Sequence, residues 1–123
     1  MKRIKLQEMT TDQLVARFTV IAIDQDKAIR RSEHAKFNRL FDEMVAIEHE
    51  LKVRQDDQRS QLLRLYDHPV AQVRLNAVKS TLALAPEAGR RTLEAIAESR
   101  EYPQAGDAGM TLDSLDRGIF KPT

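Results

Sequence analysis

The sequence contains no cysteine and no tryptophan, and only four glycines and four prolines occur among its 123 residues. Without cysteine the chain has no disulfide, no thiolate nucleophile and no thiolate metal ligand. No apolar run approaches the roughly 20 residues that a membrane-spanning helix needs. The basic start, residues 1–6, is not followed by the apolar stretch of a secretory signal. Because small secreted domains often depend on disulfides, we expect a cytoplasmic protein that does not bind membranes.

The net charge is only +1, from 20 basic and 19 acidic residues, and aromatic residues make up 5% of the chain. Such a balance creates no long-range field that attracts nucleic acid, and it leaves few rings on which bases could stack. We therefore expect no nucleic-acid partner. A hydrophobic content of 41% is typical of a globular chain, and the length fits a single domain over residues 1–123.

The first 68 residues contain neither glycine nor proline, which favours long helices. Thr10 and Gln13 have the spacing of a capping box and predict a helix that runs to about residue 30. Ser32 is the predicted N-cap of a second helix, which ends near residue 54. Helical spacing places these residues on the inward stripes of the two helices: Leu14, Phe18, Ile21, Ala22, Gln25, Ala28, Ile29, Phe37, Leu40, Phe41, Met44, Ile47 and Leu51. The short connection predicts an antiparallel hairpin over residues 10–54.

Capping residues and prolines predict three further helices in the middle of the chain. Asp56 or Asp57 caps the third predicted helix, which ends before Pro69. Pro69 suits the first turn of a fourth helix that runs to about residue 85. Pro86 in the same way begins a fifth helix.

A sixth predicted helix ends at Gly118, which is a typical left-handed C-cap. The segment 102–109 before it contains two glycines and a proline and is predicted as a loop, with Asp107 available as a cap. The tail after Gly118 is expected to fold back on its two apolar residues. The predicted fold class is therefore all-α, with about six helices.

The second half of the chain contains an internal repetition. Pro69 and Pro103 lie 34 residues apart, and several apolar positions match at the same offset. A period near this length, with two helices in each unit, is typical of helical solenoids. The run Leu62–Pro69, followed by Val73 and Arg74, resembles the HEAT repeat, which has a leucine-rich first helix, an Asp/Pro turn and a Val-Arg pair at the start of its second helix.

The resemblance implies an α-solenoid-like arrangement, with a first repeat over 56–85 and a degenerate second repeat over 86–118. The second repeat has Asp107-Ala108 where the first has the Val-Arg pair. The whole chain is also similar to a family of small bacterial proteins of unknown function. HEAT-like modules are most often protein-binding scaffolds, so the resemblance implies a protein partner.

Arg74 falls in the middle of the apolar arc of the fourth predicted helix. A buried guanidinium must find a carboxylate or backbone carbonyls. At the 34-residue offset Arg74 aligns with the residue after Asp107, and Asp67 lies just before the fourth helix. We predict a structural ion pair of Arg74 with Asp107, Asp67 or both, which joins successive repeats. The resemblance implies the same structural role.

The solvent side of the fourth predicted helix is polar, and the second helices of HEAT modules line a concave groove. Together with the segment 102–109, this side predicts six partner-binding residues: Gln72, Asn76, Lys79, Tyr102, Gln104 and Asp107. A plain solvated face and an irregular turn are the competing interpretations.

The sequence carries no recognisable catalytic, cofactor or metal signature. Its three histidines lack the spacing of a helical metal site, and the glycines lack that of a phosphate loop. We predict a non-catalytic protein-interaction module, adaptor-like or immunity-protein-like, without a cofactor. The alternatives are a nucleic-acid-binding or glycosylase-like HEAT enzyme, and a purely structural homodimer. In the homodimer, a second subunit covers Val20 and Ile23, which lie off the main stripe of the first helix.

Overall fold

The computed structural model describes residues 5–123, so part of the basic start lies outside the described residues. Five α-helices and two 3-10 helices, at Leu6–Glu8 and Gln58–Leu65, follow one another without a strand in this range. The α-helices are α1 (Thr11–Arg30), α2 (His34–Val53), α3 (Ala71–Thr81), α4 (Pro86–Glu98) and α5 (Gln104–Asp116). The prediction of an all-α fold with about six helices is confirmed. None of the helices described is both long enough and apolar enough to span a membrane.

The chain divides into two compact units, one ending at Gln61 and the other spanning Leu62–Thr123. The first unit contains α1 and α2, and the second contains α3, α4 and α5. The prediction that the whole chain is a single domain stays a prediction.

The start of α1 has the predicted capping box. The Thr10 hydroxyl accepts from the backbone N–H of Gln13 at 3.1 Å, and the Thr10 backbone N–H donates to the Gln13 side chain at 2.8 Å. Two of the helix's unpaired N–H groups are thereby satisfied by residues three positions apart. The two residues of the capping box are only three positions apart, which explains why the sequence alone predicts the start of α1.

The inward stripes of α1 and α2 meet in a shared core. Its buried residues are Leu14, Val15, Phe18, Ile21, Ala22, Gln25, Ala28, Leu40, Met44, Ile47 and Leu51. Phe41, which was predicted to be in this stripe, is instead exposed, because it lies at the edge of the α2 stripe. Val20 is 45% exposed and Ile23 is half-buried, and the prediction that a second subunit covers them stays a prediction.

The connection between α1 and α2 differs from the prediction at Ser32. Ser32 has a left-handed backbone, with φ of 55°, and does not cap α2, which begins at His34 without a side-chain cap. The N–H groups of Ser32 and Glu33 donate to the carbonyls of Ile29 and Ala28. Ser32 therefore belongs to the end of α1, where a left-handed residue satisfies the last carbonyl groups.

Arg54, the residue after α2, holds the N-terminal segment in place. Its guanidinium donates to the carbonyl oxygens of Leu6 and Met9 at 3.0 and 2.7 Å, and to the Glu50 carboxylate at 2.8 Å. The residues just before α1 thus lie against the end of α2. In an antiparallel hairpin the beginning of the first helix lies beside the end of the second, as it does here.

The third predicted helix is present, but it is wound as a 3-10 helix over Gln58–Leu65. Asp56 and Asp57 precede it with left-handed φ values of 64° and 45°. Hydrogen bonds from Arg59 to the Asp57 carboxylate hold the pKa of Asp57 below its usual value. Its eight residues make it longer than most 3-10 helices, which seldom exceed three or four residues, and nothing in the structure explains this length.

The second unit has a core shared by its three α-helices. The buried cluster consists of Leu75, Val78, Leu82, Leu93, Ile96 and Ala108. Gly118 has φ of 68°, and the N–H groups of Ile119 and Phe120 donate to the Ser114 carbonyl. This left-handed C-cap returns the tail so that Phe120 packs against the cluster, as predicted, while Ile119 stays exposed.

Replacing Thr10 with Ala should lower the free energy of unfolding by about 1 kcal/mol, because α1 then loses its side-chain N-cap. Thr10→Ser keeps the hydroxyl and is the matched control, with stability close to that of the wild type. Urea melts followed by circular dichroism measure both variants. Equal stability of the Ala and Ser variants would show that the capping box does not stabilise α1.

Candidate protein-interaction surface

Most of the predicted loop at 102–109 belongs to α5, which begins at Gln104. The backbone N–H groups of Ala105 and Asp107 already donate to the carbonyls of Glu101 and Pro103, so Asp107 is not a cap. The prediction of a loop is wrong because it considered only the helix propensity of glycine. Ala105 and Ala108 are buried, and this tertiary packing offsets the cost of the two glycines in the helix.

A chain of buried amides joins the beginning of α5 to α3. Gln104, only 4% exposed, donates from Nε2 to Oε1 of Gln72 at 3.0 Å, and Gln72 donates to Asn76 at 2.8 Å. All three were predicted to bind a partner, but their side chains are buried. A buried side-chain amide needs a hydrogen-bond partner, and the Gln104 amide is the partner of the Gln72 carbonyl oxygen.

The remaining predicted residue of α3, Lys79, lies at the surface and is bound to α5. Its ammonium donates to the Asp107 carboxylate at 3.0 Å, and the Thr111 hydroxyl lies 3.2 Å from the same carboxylate. About 40% of each charged side chain is exposed. The amide chain and this exposed ion pair both connect α5 to α3.

Arg74 has a structural role, but its acidic partner is neither Asp107 nor Asp67. Its guanidinium donates to the carbonyls of His68 and Pro69 at 2.8 and 3.1 Å, and to the Glu101 carboxylate at 3.2 Å. The predicted pair is wrong because α5 begins earlier than expected. Glu101 therefore lies level with Arg74, and Asp107 lies one turn further along, beside Lys79.

The side of α5 that points away from the core carries the exposed residues Gly106, Met110 and Asp113. Together with Tyr102, which precedes the helix, and Arg117, which follows it, they are called the outer face of α5. Tyr102 is 72% exposed and Met110 is 68% exposed. A Cβ atom built on Gly106 would lie 3.9 Å from Cδ1 of Tyr102 and would meet nothing else within 4 Å. Two large apolar side chains thus stand on either side of an open notch.

Of the six predicted partner-binding residues, Tyr102, Lys79 and Asp107 lie on or beside this outer face. Met110 was missed because the segment before it was predicted as a loop, so that no helical face was expected to include it.

A second concave site in the same unit lies between the 3-10 segment, α3 and α4, with a volume of about 640 Å³. Among its polar groups, Arg74 is bound as described, the Tyr66 hydroxyl is hydrogen-bonded to the Thr81 hydroxyl, and the Thr92 hydroxyl donates to the Ala88 carbonyl. The charged side chains of Asp67 and Arg91 also line it. Burial raises the pKa of Tyr66, opposed by the hydrogen bond with Thr81. Across residues 5–123, no three His, Cys, Asp or Glu side chains are placed to hold a metal ion.

Arg74→Ala should lower the free energy of unfolding by about 2 kcal/mol, because two carbonyls and a carboxylate lose a charged donor. Lys79→Ala removes an exposed ion pair and should change it by less than about 0.5 kcal/mol. Urea melts of the two variants under one set of conditions give the comparison. Equal and small effects would mean that Arg74 does not hold the start of α3 to the segment before α5.

Comparisons with known proteins agree with this description. A family model described as a domain of unknown function, DUF2019, matches residues 12–116. The crystal structure of the protein RPA1889 from Rhodopseudomonas palustris CGA009 is similar, with 51% sequence identity and a TM-score of 0.94. The similarity covers 98% of this chain and 100% of that one. No curated protein sequence matches significantly. The chain therefore belongs to the DUF2019 family.

Proposed function

We propose that this chain is a non-catalytic protein-interaction module that binds its partner through the outer face of α5. The observation that carries the proposal is the placement of Tyr102 and Met110, both more than two-thirds exposed, on either side of Gly106. Tyrosine is among the residue types that contribute most to binding energy at protein interfaces. Methionine adapts its shape to the surface that it meets.

The contacts of α5 with the rest of the second unit make its outer face a rigid surface. Gln104 and Ala108 are buried, and Lys79 binds Asp107, so α5 is held from its inner side and along one edge. A binding surface on a fixed helix loses little conformational entropy when the partner docks. The notch at Gly106 lets a partner's backbone or side chain approach α5 closely.

The proposal includes a HEAT-like arrangement of the second unit, with α3 and α5 as the second helices of two successive repeats. Two contacts support it. The hydrogen bond between Gln72 and Gln104 sets the N-terminal ends of α3 and α5 side by side. Arg74 bonds the turn before its own helix and also Glu101, which precedes the next second helix.

Capture from an extract of the native cells tests the function. The full chain is immobilised as wild type and as the double variant Tyr102→Ala/Met110→Ala. The double variant removes two exposed side chains, so its fold should be unaffected. We expect a protein that the wild type retains to be lost from the double variant by about tenfold or more, as removal of central interface residues causes.

The matched control is the double variant Val20→Ala/Val45→Ala, which removes exposed apolar side chains from the first unit. It should retain the same protein as the wild type. Loss of that protein from the control alone would place the interaction on the first unit and would contradict the proposal. Absence of any protein that distinguishes the wild type from the Tyr102→Ala/Met110→Ala variant would also contradict it.

A further inference from the structure

The concave site between the end of the 3-10 segment, α3 and α4 takes no part in the proposed function, and we call it the α4 cavity. Its volume of about 640 Å³ lies within the range of roughly 300–1,000 Å³ that small-molecule sites have. Leu63, Ala88, Ala95 and Ile96 give it an apolar wall. An apolar wall with a few polar groups that fix the orientation of the ligand is the usual composition of such sites.

Two hydroxyl groups of the α4 cavity already donate their hydrogens within the chain. The Thr81 hydroxyl donates to the Ala77 carbonyl at 2.7 Å, so it accepts the hydrogen of the Tyr66 hydroxyl that lies against it. The Thr92 hydroxyl donates to the Ala88 carbonyl at 2.9 Å. Because neither Tyr66 nor Thr92 has a hydrogen left to donate, the charged side chains must bind any ionic group of a ligand.

Arg74 keeps one donor for a ligand at a fixed position. Its Nη1 donates to the carbonyls of His68 and Pro69, and its Nη2 donates to the Glu101 carboxylate. These bonds hold the guanidinium, but its Nε–H has no acceptor among residues 5–123. Across the same residues no side-chain nitrogen or oxygen is both buried and without a hydrogen bond, so solvent reaches this N–H. A donor held in this way needs no rearrangement to bind.

Asp67 and Arg91 line the α4 cavity as unpaired charges. Both side chains are exposed, and neither forms an ion pair or a hydrogen bond with any residue of the described chain. The charge of Arg74 is balanced by Glu101. The cavity thus has one cation and one anion without partners, and its complement is a ligand with one group of each sign. Asp67 would repel a simple anion, and Arg91 would repel a simple cation.

We propose that the α4 cavity binds a short apolar peptide with free termini, two or three residues long. Arg91 and the Nε–H of Arg74 hold its carboxylate, Asp67 holds its ammonium group, and its side chains lie against Leu63 and Ile96. A single amino acid carries both charges, but it would leave most of the cavity volume empty. None of these residues belongs to the outer face of α5, so the inference goes beyond the proposed function and does not depend on it.

Calorimetric titration of the purified full chain tests the class of ligand. The probe is the dipeptide leucyl-phenylalanine, compared with its N-acetyl form, which lacks the ammonium group, and with its C-terminal amide, which lacks the carboxylate. A ligand of this size binds a well-formed site with a dissociation constant on the order of 10–100 μM. We expect each capped peptide to bind about fivefold more weakly, because it leaves one charge of the cavity without a partner.

Two variants assign the two ends of the peptide. Asp67→Asn should weaken binding of the free dipeptide by about fivefold and leave the N-acetyl form unchanged, because only the free peptide has an ammonium group. Arg91→Gln should weaken the free and the N-acetyl forms alike and leave the amide unchanged. Arg90→Gln is the matched control, since Arg90 pairs with Asp116 and does not line the cavity. Asp67 and Arg91 are exposed, so both variants should fold as the wild type does.

Three results would overturn the inference. The first is no binding of the free dipeptide at concentrations up to about 5 mM, well above the expected dissociation constant. The second is a capped peptide that binds the wild type as tightly as the free one. The third is equal affinity of Arg91→Gln and Arg90→Gln for the free dipeptide. Tyr102→Ala/Met110→Ala should bind the dipeptide as the wild type does, so a failure here leaves the proposed function standing.

Discussion

The orientation of α5 depends on the side chain of its first residue, Gln104. That amide is buried and donates to Gln72, which is buried as well. A buried amide without a partner costs about 1–3 kcal/mol, so a rotation of α5 that breaks this bond is disfavoured. The same rotation that satisfies the two amides also buries Ala108 in the core. Met110 then points outwards as a geometric consequence.

Features that depend on neighbours three or four residues away could be predicted from the sequence, as the capping box at Thr10 shows. The burial of Gln72 could not, because its hydrogen-bond partner Gln104 lies 32 residues away and a lone glutamine on a helical wheel indicates solvent. The sequence could not predict where α5 begins, for a related reason. Gly106 and Gly109 favour a loop by local propensity, and tertiary packing outweighs that preference.

Exposed apolar residues occur on both units, and those of the outer face of α5 lie close to Gly106. Val20, Phe41 and Val45 are between 44% and 46% exposed, and single apolar side chains of this kind are normal on a protein surface. The outer face of α5 differs because open glycine positions lie between its large residues. A partner can then approach the backbone of α5 closely between these large side chains.

The central claim is that the outer face of α5 binds the protein partner. Backbone amide NMR spectra of the full chain, recorded with and without the protein that the wild type retains from the extract, test that claim residue by residue. The predicted result is a set of shifts confined to residues 102–117, with the amides of Gly106 and Gly109 among the largest. Shifts centred on Val20 and Val45 instead would contradict it.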